Sequence, residues 1–468
     1  MVRSRKLKMA SIWDEPTLLE ELNELYVKQP EILAAKIHKH LLTTEGITDL
    51  TSVATIQDMP KGVSEMVVSK FTLMTTTVVE AVTSGDNAVT KLVIQLQDGL
   101  KVETVIIRHG AVTAHNPHGE KRTTLCVSSQ VGCKMGCTFC ATGTMGEIGD
   151  LCAGEILEQL IHARQWAEVS NIVFMGMGEP FNNYKQVVSA VNCMIDGRRF
   201  KIAPKRVTVS TVGVIPKIYA FIEDLPMCNL ALSLHAPVQE QRMTIVPSAK
   251  AFKLPALMEA MDEYIKRTRR TVLIEYVLLA GINDDVETAH NLGKLLQPRK
   301  DNVTINLIPY NTTNVSDPYK PPAYPTIQAY IDIVMGEYGC YATVRKEMGG
   351  DIAGACGQLV VSKEEQKSAP VTTLVVDLED MMGKAPKKTS GAAKFGGENA
   401  PHQSGAIWPT NQTNKKKQKR TAGVPEKRKE SLLVTKNASG GVCKALTAVL
   451  VGVASVGLGV ALYGGGEL

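Results

Sequence analysis

Aromatic residues are scarce in this 468-residue chain, at 5%, and the formal net charge is only +5. No short-period repeat runs through it, and the basic start Met1–Ile12 lacks the apolar h-region of about 7–15 residues that a secretory signal requires. These absences exclude a solenoid and a collagen-like chain. They also suggest a reducing compartment for the ten cysteines, where clustered thiols mean metal binding or catalysis and not a disulfide framework. With 44% apolar residues the chain is not wholly disordered. Its length suits two to three domains, or one barrel of about 250 residues with additions at both ends.

Charge is spread unevenly. Residues 381–440 hold 13 Lys/Arg against 3 Asp/Glu, a local +10, whereas residues 1–380 hold 38 against 43 and come out at −5. The basic character therefore belongs to the tail and not to the body. Past Asp380 the composition turns to Gly, Ala, Ser, Asn, Lys and Pro, densest in charge at Asn414–Arg420, and a disordered basic linker is expected over 381–440. It reads either as a solvated spacer or as a segment for nuclear targeting, RNA or anionic lipid. Residues 445–463 carry no charge. At about 1.5 Å per residue they nearly match a bilayer core of about 30 Å, so a transmembrane helix and tail anchor are expected there, with a peripheral or unstructured tail as the competing reading.

Helical spacing runs from Glu15 to Asp58 through Leu18, Leu22, Tyr26, Ile37 and Leu41. It breaks at Pro60 and resumes to about Met74, which predicts a small helical N-terminal domain over 12–90. Lys91–Leu96 and Glu103–Arg108 flank Gln97-Asp98-Gly99 and predict a hairpin or connector over 91–122. From Thr123 onward strand-like runs at Thr124, Asn171, Arg206, Asn229, Thr271, Thr304 and Tyr341 alternate with helix-like intervals. That rhythm predicts an α/β fold over 123–362, a parallel sheet with covering helices in a full or partial barrel.

Cys133, Cys137 and Cys140 stand in CxxxCxxC spacing. Three thiolates at these offsets can hold three corners of a 4Fe-4S cluster and leave the fourth iron open. A tetrahedral zinc site would need a fourth ligand, which Cys126 or Cys152 could supply. The short spacing and Phe139 before the last cysteine favour the cluster. Met175–Pro180 ends the next strand, where glycines allow close approach of a ligand and Glu179 offers a carboxylate; alone it would read as a tight turn. Ser210, Ser233 and His235 also fall at strand ends. Cys152, Cys193, Cys228, Cys340 and Cys443 read as inert apolar fillers.

CxxxCxxC with an aromatic before its third cysteine, after the first strand of a βα series, resembles the radical S-adenosylmethionine superfamily. Thr124–Cys133, Met175–Pro180, Ser233–Pro237, Ile305–Asn311 and Ala355–Leu359, in that order, resemble the RlmN/Cfr family of RNA adenine methyltransferases over about residues 12–361. The implied fold is a partial (β/α)6 barrel of TIM type with a small helical N-terminal domain and a disordered C-terminal extension. The implied site has Cys133, Cys137 and Cys140 on the cluster, and Gly178, Glu179, Ser210, Ser233, Leu234, His235 and Asn311 around S-adenosylmethionine.

Carbons 2 and 8 of adenine are electron-poor, so direct displacement on a sulfonium methyl fails there and a radical must add. The resemblance implies that one S-adenosylmethionine methylates Cys356 and that a second gives a deoxyadenosyl radical, which takes hydrogen from the S-methyl group. The methylene radical adds to adenine, and Cys126 then releases the product by forming a disulfide with Cys356. Glu103 matches the family's proton acceptor, although a carboxylate in a hairpin is usually just exposed. Met348-Gly-Gly-Asp351 departs from the family's pattern, which has an arginine at its start, and so leaves one cation fewer near the thiol.

The motif wording and the N-terminal module favour carbon 2 over the carbon-8 branch. The expected partners are ribosomal or transfer RNA and an electron donor such as flavodoxin or ferredoxin. A monomer is expected, cytoplasmic and tethered through its tail, with a plastid or mitochondrion as the alternative. Arg198, Arg199, Lys201, Lys205 and Arg206 form the most basic run of the body, either a phosphate contact or a solvated face. A zinc-stabilised RNA-binding module and a membrane scaffold are the competing classes.

Overall fold

Proline and glycine punctuate the N-terminal helices. Pro16 lies in the first turn of α1 (Glu15–Glu24) and Pro30 opens α2 (Pro30–Thr43), positions where a missing N–H costs nothing. Gly62, in the left-handed region at φ 84°, precedes α3 (Val63–Lys70). Leu18, Leu22, Ile37, Leu41 and Val67 turn inward from these helices into the main core. Two short parallel strands, β1 (Ala10–Ser11) and β2 (Phe71–Thr72), bracket the helices where the chain enters and leaves.

The helical reading of 12–90 holds only as far as Lys70. Thr77–Thr83 is strand β3, antiparallel to β4 (Val89–Gln95), which pairs in turn with β5 (Lys101–His109). The run Thr75-Thr76-Thr77-Val78-Val79 is wholly β-branched, and such side chains suit a pleated strand better than a helix. The β4–β5 hairpin is where the sequence places it, but it extends the barrel's own sheet and is no separate connector.

This computed structural model describes Arg5 and residues 7–110, 122–313 and 319–360. The linker 381–440, Cys443 and the segment 445–463 lie outside the described residues. Among the described residues no helix is long and apolar enough to cross a membrane.

The barrel strand β6 (Arg122–Cys126) leads into the hairpin β7 (Gln130–Cys133) and β8 (Gly146–Asp150), with one helical turn α4 (Ala141–Thr144) between them. Then strand and helix alternate: α5 (Ala153–Arg164), β9 (Asn171–Phe174), α6 (Tyr184–Ile195), β10 (Val207–Thr211), α7 (Ile215–Asp224) and β11 (Asn229–Ser233). The series continues through α8 (Gln239–Ile245), α9 (Leu254–Thr268), β12 (Val272–Leu278), α10 (Val286–Leu296), β13 (Val303–Pro309), α11 (Tyr324–Ile331) and β14 (Ala342–Val344). The main sheet runs β14-β13-β12-β11-β10-β9-β6-β5-β4-β3. Every neighbouring pair from β6 to β14 is parallel and the remainder antiparallel. Six parallel strands, each followed by helix, with the short β14 closing the series, form the expected partial barrel.

One buried carboxylate ties the N-terminal module to this barrel. Glu158 on α5 is fully buried and accepts hydrogen bonds from the Ser11 hydroxyl (2.6 Å), the Thr76 amide (2.8 Å) and hydroxyl (2.6 Å), and the Thr75 amide (3.0 Å). Beside it, Arg5 forks onto Glu155 (2.6 and 2.8 Å) and also meets Asp98 (2.6 Å). Glu158→Ala strands several buried donors at once and is expected to cost about 2–4 kcal/mol in urea unfolding. A loss below about 0.5 kcal/mol, the size of an ordinary surface change, would show that the carboxylate is not the tie.

Candidate active site

The parallel strands end around one cavity of about 950 Å³, counting its open mouth. Met175 and Glu179 reach it from the end of β9, Ser210 from β10, Ser233 and His235 from β11, Val277 from β12 and Asn311 from β13. Cys133, at the end of β7, and Cys137 and Cys140, on the loop from β7 to α4, line the same cavity. Ligand sites of barrels lie at this C-terminal face because helices and loops there are free to vary.

Gly176 and Gly178 line this cavity and also meet a second neighbour, a packed backbone segment. A Cβ on Gly176 would lie 2.7 Å from the Val127 carbonyl oxygen, and one on Gly178, at φ +100°, would lie 2.6 Å from Gln130 Cβ. They let the strand end close against the segment that leads into the cysteine loop. The Gln130 side chain uses that proximity: its Oε1 accepts the Glu179 backbone amide (2.8 Å) while its Nε2 donates to the Asp150 carboxylate (2.7 Å).

The Glu179 carboxylate is buried and accepts the amides of Phe181 (3.0 Å) and Val212 (2.9 Å). Burial pushes it up to about 7 despite these bonds. The Ser210 and Ser233 hydroxyls lie 3.3 Å apart. His235 sits at φ 58° and accepts the Val277 amide on Nδ1 (3.1 Å), which leaves its ring proton on Nε2. Burial lowers it to about 3, so it is neutral. Leu234 alone of the expected cofactor residues does not line the cavity. Its side chain lies in the main core, and its carbonyl accepts from Arg242 (3.0 Å), a fully buried arginine that also donates to the Val212 and Ser233 carbonyls (2.6 and 3.2 Å).

Cys356 lies on a stretch without regular structure that is tied at each residue. Asn311 donates to its carbonyl (2.9 Å), the Ala141 amide to the Gly357 carbonyl (2.8 Å), Gln358 to the Thr312 carbonyl (2.7 Å) and the Thr142 hydroxyl to the Leu359 carbonyl (2.6 Å). The Val360 amide donates to Glu103 (2.8 Å). Cys356 lines the main cavity, a second chamber of about 620 Å³ with His109, Arg345 and Lys346, and a small recess shared with Cys126, Val105 and Met175. Both thiols are free. Burial pushes Cys126 up to about 12, and it raises Cys356 as well; the nearby Arg345 guanidinium opposes both shifts.

Glu103 is not the exposed carboxylate that its hairpin suggested. It is 3% exposed and pairs with Lys91 (2.9 Å). It shares a face of β5 with Val105 and Ile107, which reach the recess and second chamber, yet it lies one pleat away and lines neither. Arg345, Glu275 and His109 are residues the sequence reading passed over. Glu275, buried in the main cavity's wall and bonded by Asn306 (2.8 Å), had a signal: it is a lone carboxylate in the apolar run Val272–Leu278. Arg345 follows β14 as the other site residues follow their strands. Cys152 is no inert filler either, since its sulfur caps α5 by accepting the Glu155 amide (3.5 Å).

The donor set fits an iron–sulfur cluster better than zinc. Neither Cys126 nor Cys152 lines the cavity of the three motif thiols. Among the described residues no three His, Cys, Asp or Glu converge closely enough for a single ion. Thiols on a cluster each bind their own iron and stand further apart.

A partial barrel with three such thiols above its strands defines a radical S-adenosylmethionine protein, and residues 127–292 match the Radical SAM superfamily. A crystal structure of a radical SAM methyltransferase from Sphaerobacter thermophilus superposes with a TM-score of 0.63 at 33% identity, over 75% of this chain and 99% of that one. The chain is 37% identical over 355 residues to the probable dual-specificity RNA methyltransferase RlmN of Lysinibacillus sphaericus, 75% of this chain and 87% of that protein. It is 36% identical over 357 residues to the one of Geobacillus kaustophilus, 75% and 93% of the two chains. The chain belongs to the RlmN family.

Gly178→Ala places a side chain in the left-handed region and against Gln130, so unfolding free energy is expected to drop by about 1–3 kcal/mol. Gly197→Ala meets nothing within 4 Å and serves as the control. Equal melting curves for the two variants would contradict the close approach.

Proposed function

We propose that this protein is a radical S-adenosylmethionine methyltransferase that places a methyl group on carbon 2 of an adenosine in ribosomal or transfer RNA by way of a methylated Cys356. One observation carries the reading: Cys356 stands in the wall common to three cavities. A sulfur that must receive a methyl group, present it to a base and then be released by a second thiol needs three approaches, and these are the main cavity, the cationic chamber and the recess with Cys126. The names of the curated relatives, RNA methyltransferases, point the same way.

Cys133, Cys137 and Cys140 would hold the cluster, which with S-adenosylmethionine supplies one-electron cleavage of the sulfonium and a deoxyadenosyl radical. Glu179, beside Gly178, receives the amino group of the ligand. Ser210, Ser233, His235 through Nε2–H, and Asn311 supply the remaining polar contacts. Phe139, Ile308 and Tyr310, part of a small apolar cluster that packs on Cys137 and Cys140, exclude water. Two S-adenosylmethionine molecules are used per turnover, one for each event at Cys356.

In the second chamber Arg345 and Lys346 offer cations to an RNA phosphate, in the neighbourhood where Met348 replaces the expected arginine. The target adenosine leaves its stack to enter. Glu103 is assigned the proton of the attacked carbon; its burial and its bond to Val360 support a place at this site. Loss of that proton and of one electron, which the oxidised cluster would take back, leaves a closed-shell thioether between Cys356 and the base. Cys126 attacks the Cys356 sulfur, the carbon–sulfur bond breaks, the freed methylene carbon takes a proton as the methylated product departs, and the resulting disulfide is reduced before the next round. A flavodoxin or ferredoxin is the proposed electron donor.

The test is mass spectrometry of nucleosides from RNA treated with reduced, cluster-loaded protein and S-adenosylmethionine. 2-Methyladenosine is expected. 8-Methyladenosine would move the attack to the other carbon, and neither product from a protein with an intact cluster would reject the reading. Cys356→Ala is expected to abolish methylation with the iron–sulfur absorbance unchanged, while Cys126→Ala accumulates protein bound covalently to RNA on denaturing gels. Arg345 has a distinct signature. Removing its charge in Arg345→Gln pushes the Cys356 thiol further up, so methylation of Cys356, read by intact mass, slows at neutral pH and recovers as pH rises. A loss that is the same at every pH would assign Arg345 to RNA alone.

A further inference from the structure

The basic run before β10 divides in the fold. Arg198 is held by Asp196 (2.8 Å) and Arg199 is paired with the half-buried Glu15, so their charges are answered within the protein. Lys201, Lys205 and Arg206 have no carboxylate at ion-pair distance among the described residues. All three line one open groove of about 1350 Å³, together with Arg164, Phe200 and a single carboxylate, Glu168.

The groove is built on a stiff backbone. Ile202 donates to the Met194 carbonyl (2.9 Å), Arg206 to the Ala203 carbonyl (2.8 Å), and Asn229 to the Lys205 carbonyl (2.8 Å). Arg164 lies over the Phe200 ring at 5.0 Å and donates to the Phe200 carbonyl (3.0 Å), which anchors its guanidinium at the wall. Four cations are thus presented with little backbone freedom left to lose on binding.

Its place is the end of the sheet opposite the active site. The groove residues precede β9 and β10, whereas Glu179 and Ser210 follow or end them. Strands of this length, at about 3.3 Å per residue, put roughly 15 Å between the two. A nucleotide in the cationic chamber does not reach that far, but another part of the same polynucleotide does. An electron donor must come close to the cluster, so a donor protein does not suit this face. The body carries −5 overall, and a polyanion must therefore be drawn by a local excess such as this.

We propose that the groove formed by Arg164, Lys201, Lys205 and Arg206 binds the phosphate backbone of a helical arm of the substrate RNA, away from the target adenosine. The inference rests on the RNA reading above. It makes the enzyme a reader of two separated points on a folded RNA.

The test uses the full chain with Lys201→Gln, Lys205→Gln and Arg206→Gln combined, and two probes: a folded transfer RNA and a short hairpin that carries only the target adenosine. Binding of transfer RNA, followed by fluorescence anisotropy over a salt series, is expected to weaken, with the log–log salt slope shallower by about 2–3. Methylation of the hairpin at saturation is expected to stay as in the parent. Lys201→Arg with Lys205→Arg should keep the parent slope, which separates charge from any effect on folding. An unchanged slope in the triple variant overturns the proposal, as does an equal loss with both RNAs. Slower reduction by flavodoxin with unchanged RNA binding overturns it too and assigns the groove to a protein. If the parent enzyme methylates no RNA, the functional reading fails by itself, and the salt slope still decides the groove.

Discussion

The site depends above all on how the segment from Ala355 to Val360 is held. It has no strand ladder or helix of its own, yet it carries the thiol on which the proposed chemistry turns. Its backbone bonds go to Asn311 after β13, to Ala141 and Thr142 directly after the cysteine loop, and to Glu103 on β5. Two of those anchors follow Cys140 at once, so the Cys356 sulfur is located relative to the cluster loop itself and not merely to the barrel. A displacement of one loop is then carried into the other. Bonds of this kind each contribute only about 1 kcal/mol net, but an unmet buried carbonyl costs about 1–3, which keeps the set complete or empty together.

The electrostatics of the cavity follow from its dryness. Fixed groups answer the buried charges: two amides for Glu179, carbonyls on both flanking strand ends for Arg242, whose Nη1 alone makes no hydrogen bond, and Asn306 with the nearby Arg345 for Glu275. Low dielectric makes each of these fixed dipoles stronger than it would be in water, and none has to reorient when a ligand arrives.

Much of this was legible in the chain and the remainder was hidden for physical reasons. The βα alternation and the cysteine spacing are local signals, and local signals survive in a sequence read without its fold. Thr77–Thr83 follows the helical spacing without a break in the sequence, and only its β-branched run points to a strand. Arg345 and His109 stand in no motif of their own; β14 and β5 lie far apart in the strand order, and only the curl of the sheet brings both residues beside Cys356. Glycines 176 and 178 border the cavity and also the Val127–Gln130 segment, and close packing of two backbone segments leaves no mark in a sequence distinct from ligand approach. In the sequence Arg198 and Arg199 do not differ in charge from Lys201 and Lys205; the fold separates them by pairing the arginines with Asp196 and Glu15.

Glu158 has a consequence for how the polypeptide is made. Its partners Ser11, Thr75 and Thr76 leave the ribosome well before it does, with Ser11 ahead by 147 residues and the two threonines by 83 and 82. During synthesis both ends of the N-terminal helical module therefore wait without their common acceptor, and the helices are free to form while their attachment is deferred. Docking onto α5 must wait for that helix to emerge, just after the cysteine loop has been delivered. Docking thus reports that the cluster-binding segment is already present, and it gives assembly an order: helices first, then the iron-binding loop with its neighbouring helix, and the Cys356 segment last of all.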